Sequence, residues 1–319
     1  MVEIGYSMSS EEHAPLDLVK YAKIAEDVGF SFALISDHYH PWISRQGHSP
    51  FVWSVIGAIA AATDRLRVGT GVTCPLMRMH PAIVAQAAAT AAVMMPGRFF
   101  LGVGTGENLN EHVLGEGWPD ANTRRAMLEE AIDVLRALWS GGEQHSHFGR
   151  FFAVDNAQLY TLPDEPPEVM VAAGTRATAE LAGRLGDGLV GTAPEPDLVA
   201  AFEHAGGRRK PRYGQLTVCW ARSDEEARRI ALEWWPNAGL TGDLAQELPR
   251  PRHFEQACQL VDESTVTRQV VCSSDVAPHL EAIGRFVDAG YDHVSIHQVG
   301  PDQEGFFRFF ETTVLPQLV

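Results

Sequence analysis

The chain has 319 residues, 45% of them hydrophobic and 21% charged, with a formal net charge of −16. An ordinary composition without a low-complexity block excludes a disordered or fibrous protein, and the acidic balance opposes binding to a nucleic-acid backbone. The length fits one barrel-sized domain over 1–319 with room for an insertion.

The basic cluster Arg208, Arg209, Lys210 and Arg212 lacks interleaved aromatics and is read as a solvated loop without a role. Cys74, Cys219, Cys258 and Cys272 are too widely spaced for a zinc or redox motif and are expected as reduced thiols. The start, Met1-Val2-Glu3, runs straight into a strand-like segment with neither the basic nor the apolar region of a leader. No apolar run approaches the roughly 18 residues needed to cross a bilayer. A cytoplasmic protein acting on a small molecule, away from membrane and nucleic acid, is the expectation.

In chain order, short β-branched or apolar runs alternate with longer segments of helical period, the pattern of a parallel sheet with helical crossovers. Strands are predicted over Val2–Ser7, Phe32–Ser36, Leu66–Thr73, Phe99–Val103, Glu168–Ala173, Gly188–Thr192, Gln215–Ala221 and His293–Gln298. Between them, helices are predicted over Leu16–Val28, Val52–Ala62, Pro81–Met94, Thr123–Trp139, Ala177–Leu185, Asp224–Trp234 and Ala277–Ala289. Gly29, Gly186 and Gly290 follow helices and suit left-handed caps. Ser140–Leu162 reads as a hairpin, and Pro236–Thr267 as a helical insertion. The units predict an α/β fold, a (β/α)8 TIM barrel with insertions at the C-terminal face of the strands, where the loops that carry function converge.

After the second strand, Ser36-Asp37-His38-Tyr39-His40-Pro41-Trp42 puts an acid, two imidazoles and an indole at that face. His suits proton transfer near neutrality; the alternative is a turn capped by Asp37 with ordinary polar histidines. A metal pair at His38 and His40 lacks a third ligand, so no metal is assigned. After the fourth strand, Gly102-Val103-Gly104-Thr105-Gly106-Glu107-Asn108-Leu109-Asn110 is not a dinucleotide fingerprint, since Glu107 stands where the third glycine belongs. It either lets backbone approach a flat ring beside Glu107 and Asn110, or is a tight turn with an exposed acid. The third strand ends in Gly69-Thr70-Gly71-Val72-Thr73-Cys74. The fifth ends in Ala172-Ala173-Gly174-Thr175-Arg176 before a helix, a cradle for an anion or simple barrel packing.

Together, Ser36-Asp37-His38 with Pro41-Trp42, the glycine loop with Glu107 and Asn110, Ala172-Ala173-Gly174, and Gly186-Asp187-Gly188 resemble the luciferase-like superfamily. Within it they are most similar to the coenzyme F420-dependent glucose-6-phosphate dehydrogenase branch. The resemblance implies a homodimeric barrel with deazaflavin across the strand ends, transferring hydride rather than oxygenating. It implies that Asp37 contacts the cofactor, that His38 exchanges the substrate proton, that Glu107 is the second acid/base group and that Trp42 lines the reacting centre. Thr105, Gly106 and Asn110 match further cofactor contacts. Gly71 and Val72 match a bulge, often with a cis peptide, behind the ring. Cys74 stands where the family has a threonine that contacts the cofactor. Ala172 and Ala173 match cofactor-binding positions, and Gly174, Thr175, Ala177 and Thr178 match the contacts on the phosphate side, with Thr175 replacing a glycine.

The branch holds a sugar phosphate with a threonine, two lysines and an arginine. Thr192 fits the threonine, Glu195 stands in one lysine position, Gln256 in the other, and Arg268 remains. Replacing a lysine by Glu195 moves the charge two units against a phosphate, so the reading favours an alcohol, sugar or carbonyl substrate other than glucose 6-phosphate. The rival readings are an FMN-dependent monooxygenase or reductase on the same barrel, and a non-catalytic flavin-binding barrel.

Overall fold

A computed structural model describes residues 2–318. Eight parallel strands form a ring: Glu3–Met8, Phe32–Ile35, Arg67–Thr70, Phe99–Val103, Val169–Ala172, Gly188–Gly191, Arg212–Cys219 and His293–Gln298. The first pairs with both the second and the eighth, and the sixth pairs with the seventh, so the sheet has no open edge. A two-residue strand, Val271–Cys272, adds to the far end of the seventh.

Period-two alternation sorts the strand side chains. Phe32 and Leu34 point inward with Phe100, Met170, Val190 and Tyr213 to fill the barrel, while Ala33 and Ile35 face the surrounding helices. A Cβ on Gly69 would run into the Phe100 ring, so the glycine makes room for an aromatic inside the barrel. At the N-terminal end, the Glu26 carboxylate accepts the backbone amides of Asp64, Arg65 and Leu66, tying the first helix, Pro15–Val28, to the turn before the third strand.

Helix boundaries follow local chemistry. Asp120 caps Ala121–Trp139 by accepting the amides of Asn122 and Thr123, so that helix starts two residues before the predicted Thr123. Gly29 and Gly290 take left-handed φ of 105° and 101°, as expected of glycines that stop helices. Gly186 does not: its φ is −78°, and its role is steric, because a Cβ there would lie 2.9 Å from both the Ala182 carbonyl and Val171.

The seventh strand begins at Arg212, three residues before the predicted Gln215. The basic cluster is accordingly not wholly a solvated loop. Lys210 donates to the carbonyls of Gly183 and Gly186, and Arg212 pairs with Glu203 at 2.7 Å and Asp292 at 2.8 Å. His145–Phe148 and Ala153–Ala157 form the predicted antiparallel hairpin. The stretch from Pro236 carries the short helices Leu244–Glu247, Pro251–Cys258 and Glu263–Val266.

Candidate active site

A cavity of about 540 Å³ opens at the C-terminal ends of the strands. Its position follows from the parallel ring, which directs every βα loop to one face. The second-strand loop reaches it by being pinned from the fourth. Asn110 lies in the short helix Asn108–Glu111, and its side-chain oxygen accepts the amides of Tyr39 and His40 at 2.9 and 3.2 Å. Leu109 accepts from His40 Nδ1 at 2.9 Å. This grip turns His38 and Trp42 into the cavity wall, their rings 4.9 Å apart, and Phe254 from the insertion closes on Trp42 from behind.

His38 has a partner that the motif reading did not contain. Its Nδ1 donates to the His40 carbonyl at 3.2 Å, while Nε2 lies 3.3 Å from Glu11 Oε1. Glu11 follows the first strand, is buried, and also accepts from Ser36 Oγ at 2.5 Å and Ser9 Oγ at 3.1 Å. Burial pushes its carboxyl up, but the charge on His38, the Ser36 hydrogen bond, its own amide and His297 outweigh burial and hold it below the usual carboxylate range. A carbonyl cannot donate, so Nδ1 holds a hydrogen, and Nε2, facing the Glu11 carboxylate, is the nitrogen at which the ring gains or loses its proton. A proton taken up there lands directly beside a carboxylate.

Glu107 faces the same cavity, with its Oε2 accepting from Asn110 Nδ2 at 3.3 Å. Behind it lies a buried cluster. Asp37 accepts from Thr73 Oγ1 and from the Arg78 guanidinium, each at 2.8 Å, and Arg78 also lies 3.6 Å from Glu111. Burial, opposed by Arg78 and reinforced by Glu107 and Asp37, pushes the Glu111 carboxyl up to about 7. Gly106, at φ 75°, packs here, and a Cβ on it would sit 2.6 Å from Cys74 Sγ.

Gly71 and Val72 line the cavity through a cis peptide, after which the ladder resumes with one bridge from Thr73 to Val103. Gly104, Thr105, Gly106, Ala172, Ala173, Gly174, Thr175 and Thr178 also line it. Thr175 and Thr178 form a reciprocal capping box on helix Arg176–Leu185, which leaves the first helical amides, those of Arg176 and Ala177, to a ligand.

The structure does not bring all the predicted positions to the wall. Asp37, Cys74 and Asn110 are buried one layer back, and Ala177 is beside rather than on the wall. Of the four substrate positions only Thr192 lines the cavity. Glu195 is exposed at the start of helix Pro196–Phe202, Gln256 is exposed on the insertion, and Arg268 is exposed just after it, donating to Thr265. The insertion instead contributes Gly242, Asp243, Ala245 and Gln246, next to Trp235 at the end of helix Asp224–Trp234. Arg124 and Arg125 line the cavity too; Arg124 lies over Trp118 at 4.2 Å and donates to the Pro119 carbonyl at 2.6 Å. Among the described residues no cluster of three or more His, Cys, Asp or Glu has the geometry of a metal site, and no helix is long and apolar enough to cross a membrane.

Known proteins share this sequence and shape. The model of the luciferase-like monooxygenase family matches residues 2–293. The F420-dependent glucose-6-phosphate dehydrogenase of Microbacterium testaceum is 34% identical over 328 aligned residues, covering 99% of this chain and 97% of that protein. That of Mycobacterium tuberculosis is 34% identical over 331, covering 99% and 98%. Among solved structures, an F420-dependent secondary alcohol dehydrogenase in complex with an F420–acetone adduct superposes with a TM-score of 0.92 at 30% identity, over 98% of each chain. A (β/α)8 ring with its cavity at the strand ends and a family match over nearly its full length place this chain in the luciferase-like monooxygenase family.

Proposed function

We propose that this protein is a coenzyme F420-dependent oxidoreductase that moves hydride between the deazaflavin and an alcohol, sugar or carbonyl compound other than glucose 6-phosphate. The carrying observation is the His38–Glu11 pair at 3.3 Å on a cavity that Glu107 also faces. The relatives that act with F420 support the choice of cofactor.

The residues fit such a group. Val72, Thr105 and Gly106 offer a narrow wall of small side chains and backbone, and a Cβ on Gly104 would meet Val72 at 2.7 Å. Gly174 is open, with nothing within 4 Å of its Cβ position, next to the free helix amides and Thr178. Gly174, Thr175, Ala177 and Thr178 would hold the phosphate side. Asp37, Cys74 and Asn110 would act by fixing the lining loops. When bound, the deazaflavin supplies the ring carbon that accepts or returns hydride.

The chain's own groups handle the protons. In alcohol oxidation His38 Nε2 takes the hydroxyl proton as the C–H hydride leaves carbon, and the carbonyl product forms. Glu11 stabilises the resulting imidazolium, and the His40 carbonyl holds the ring's orientation. Glu107 serves as the acid or electrostatic partner for charge developing on the acceptor ring, and Trp42 walls off water. No lysine lines the cavity among the described residues, and of its two arginines Arg124 is held by Trp118 and the Pro119 carbonyl. Following loss of deazaflavin absorbance over a panel of alcohols, sugars and sugar phosphates tests the reading. Glucose 6-phosphate as the best substrate would overturn the substrate assignment.

The family description keeps an FMN-dependent monooxygenase or reductase as the second reading. We further read residues 1–319 as one barrel domain. An apolar groove of about 300 Å³ between helices Val52–Ala62 and Pro81–Met94, with Phe51, Ile83 and Met94 about half exposed, supports a homodimer. Four free thiols suit the reducing cytoplasm.

A further inference from the structure

Ser7 and His297 line the cavity, and each carries a buried polar atom without a partner in the protein, Ser7 Oγ and His297 Nδ1. They belong to adjacent strands. The first and eighth strands are in register through Tyr6 and Ile296, so Ser7 and His297 come next, side by side, with the inward parity of the alternation. Ser7 is 6% and His297 3% exposed.

The hydrogen-bonding character of this pair is fixed by Glu12. Glu12 Oε2 lies 3.2 Å from His297 Nε2, and Oε1 accepts the Gly300 amide at 3.0 Å. An ionised carboxylate only accepts, so the hydrogen of a neutral His297 sits on Nε2 and Nδ1 is a bare acceptor. Trp235 packs edge-on against the ring, 4.5 Å between centroids, and closes that side. Consecutive acids thus orient two histidines on one cavity: Glu11 holds His38, and Glu12 holds His297. The proton chemistry assigned to His38 makes no use of His297.

We propose that Ser7 and His297 form a specificity subsite for a second substrate hydroxyl, so that the substrate is a diol or polyol rather than a monohydric alcohol. A hydroxyl donates to His297 Nδ1 and accepts from Ser7 Oγ in the same place. A ketone or phosphate oxygen cannot donate, and an alkyl group leaves both atoms unpaired. Sites built to bind a hydroxyl reject the analogue lacking it far more strongly than apolar pockets reject one extra methylene.

The inference rests on the oxidoreductase reading, and two measurements separate their failures. Deazaflavin binding is read first, by quenching of its fluorescence. A protein that does not bind it refutes the oxidoreductase reading. The loaded protein is then titrated with trans-cyclohexane-1,2-diol and with cyclohexanol, following tryptophan fluorescence for binding and deazaflavin absorbance for turnover. The expected result is at least tenfold tighter binding and at least tenfold higher kcat/KM for the diol. In Ser7→Ala, which removes one oxygen and leaves the Glu12–His297 pair intact, the diol-to-cyclohexanol ratio should fall about tenfold while deazaflavin affinity stays within twofold. Glu12→Gln should lower the same ratio. Equal binding of the two alcohols by the wild-type protein, or an unchanged ratio in Ser7→Ala, overturns the subsite. So does a Ser7→Ala defect confined to deazaflavin affinity, which would assign these atoms to the cofactor.

Discussion

Replacing Glu11 by Gln keeps the shape of the side chain and removes its charge from beside His38. The two groups lie 3.3 Å apart with side chains 3% and 10% exposed, so solvent screens them little. At an effective dielectric of about 20, a unit pair at that separation interacts by about 5 kcal/mol. That is the upper limit of what Glu11 contributes once His38 carries the substrate proton. Ser36 and Ser9, freed from the carboxylate, can turn toward the amide oxygen and recover part of it. About 3–4 kcal/mol should remain, equivalent to a 100- to 1,000-fold loss. The loss belongs in kcat, because the imidazolium forms only as the alcohol reacts, whereas substrate and cofactor bind to the neutral ring. The assay is steady-state oxidation of the best alcohol found, with deazaflavin affinity measured in parallel. A Glu11→Gln enzyme retaining more than a tenth of wild-type kcat, or losing activity only through KM, would refute the proton-holding role.

Three further outcomes follow from the cluster behind Glu107. Glu111 has a carboxyl raised from 4.5 to about 7, so the folded protein binds a proton there that the unfolded chain has released. That stabilisation is complete below about pH 4.5 and is lost as pH rises through about 7, on the order of 3 kcal/mol in total. Denaturant titrations across that range should show a decline that Glu111→Gln flattens; identical pH dependence in the two proteins would count against it. Arg78→Met leaves Asp37 and Glu111 as buried acids without their cation, and should cost about 3–5 kcal/mol of stability. A cost below 1 kcal/mol would contradict the ion-pair assignment. Gly106→Ala forces a Cβ to within 2.6 Å of Cys74 at a φ of 75°. It should destabilise by about 2 kcal/mol or more and weaken cofactor binding, and unchanged melting would show that the loop yields freely.

The sequence revealed the frame more readily than the contacts. Alternation of apolar runs with helical segments, and the stops at Gly29 and Gly290, are local signals, so the strands and most helices were legible. The loop residues His38, Trp42 and Glu107 were legible because they sit where barrel strands end. Glu11 was not, although it also follows a strand. Ser9-Ser10-Glu11-Glu12 ahead of Pro15 looks like a helix lead-in, and its meeting with His38 depends on the register of the first two strands. His297 could have been found by parity, since Ser295 and His297 alternate on the inward face of the last strand. Gln256 and Arg268 failed to reach the wall for a related reason. The insertion folds as several short helices, and its positions near the cavity, such as Asp243 and Gln246, are set by packing that no periodicity encodes.

Titration of the purified apoprotein with coenzyme F420 and, separately, with FMN tests the central claim most directly. Micromolar or tighter F420 binding, with quenching of deazaflavin fluorescence and at least 100-fold weaker FMN binding, is the expected result. Micromolar FMN binding with no F420 binding would contradict it.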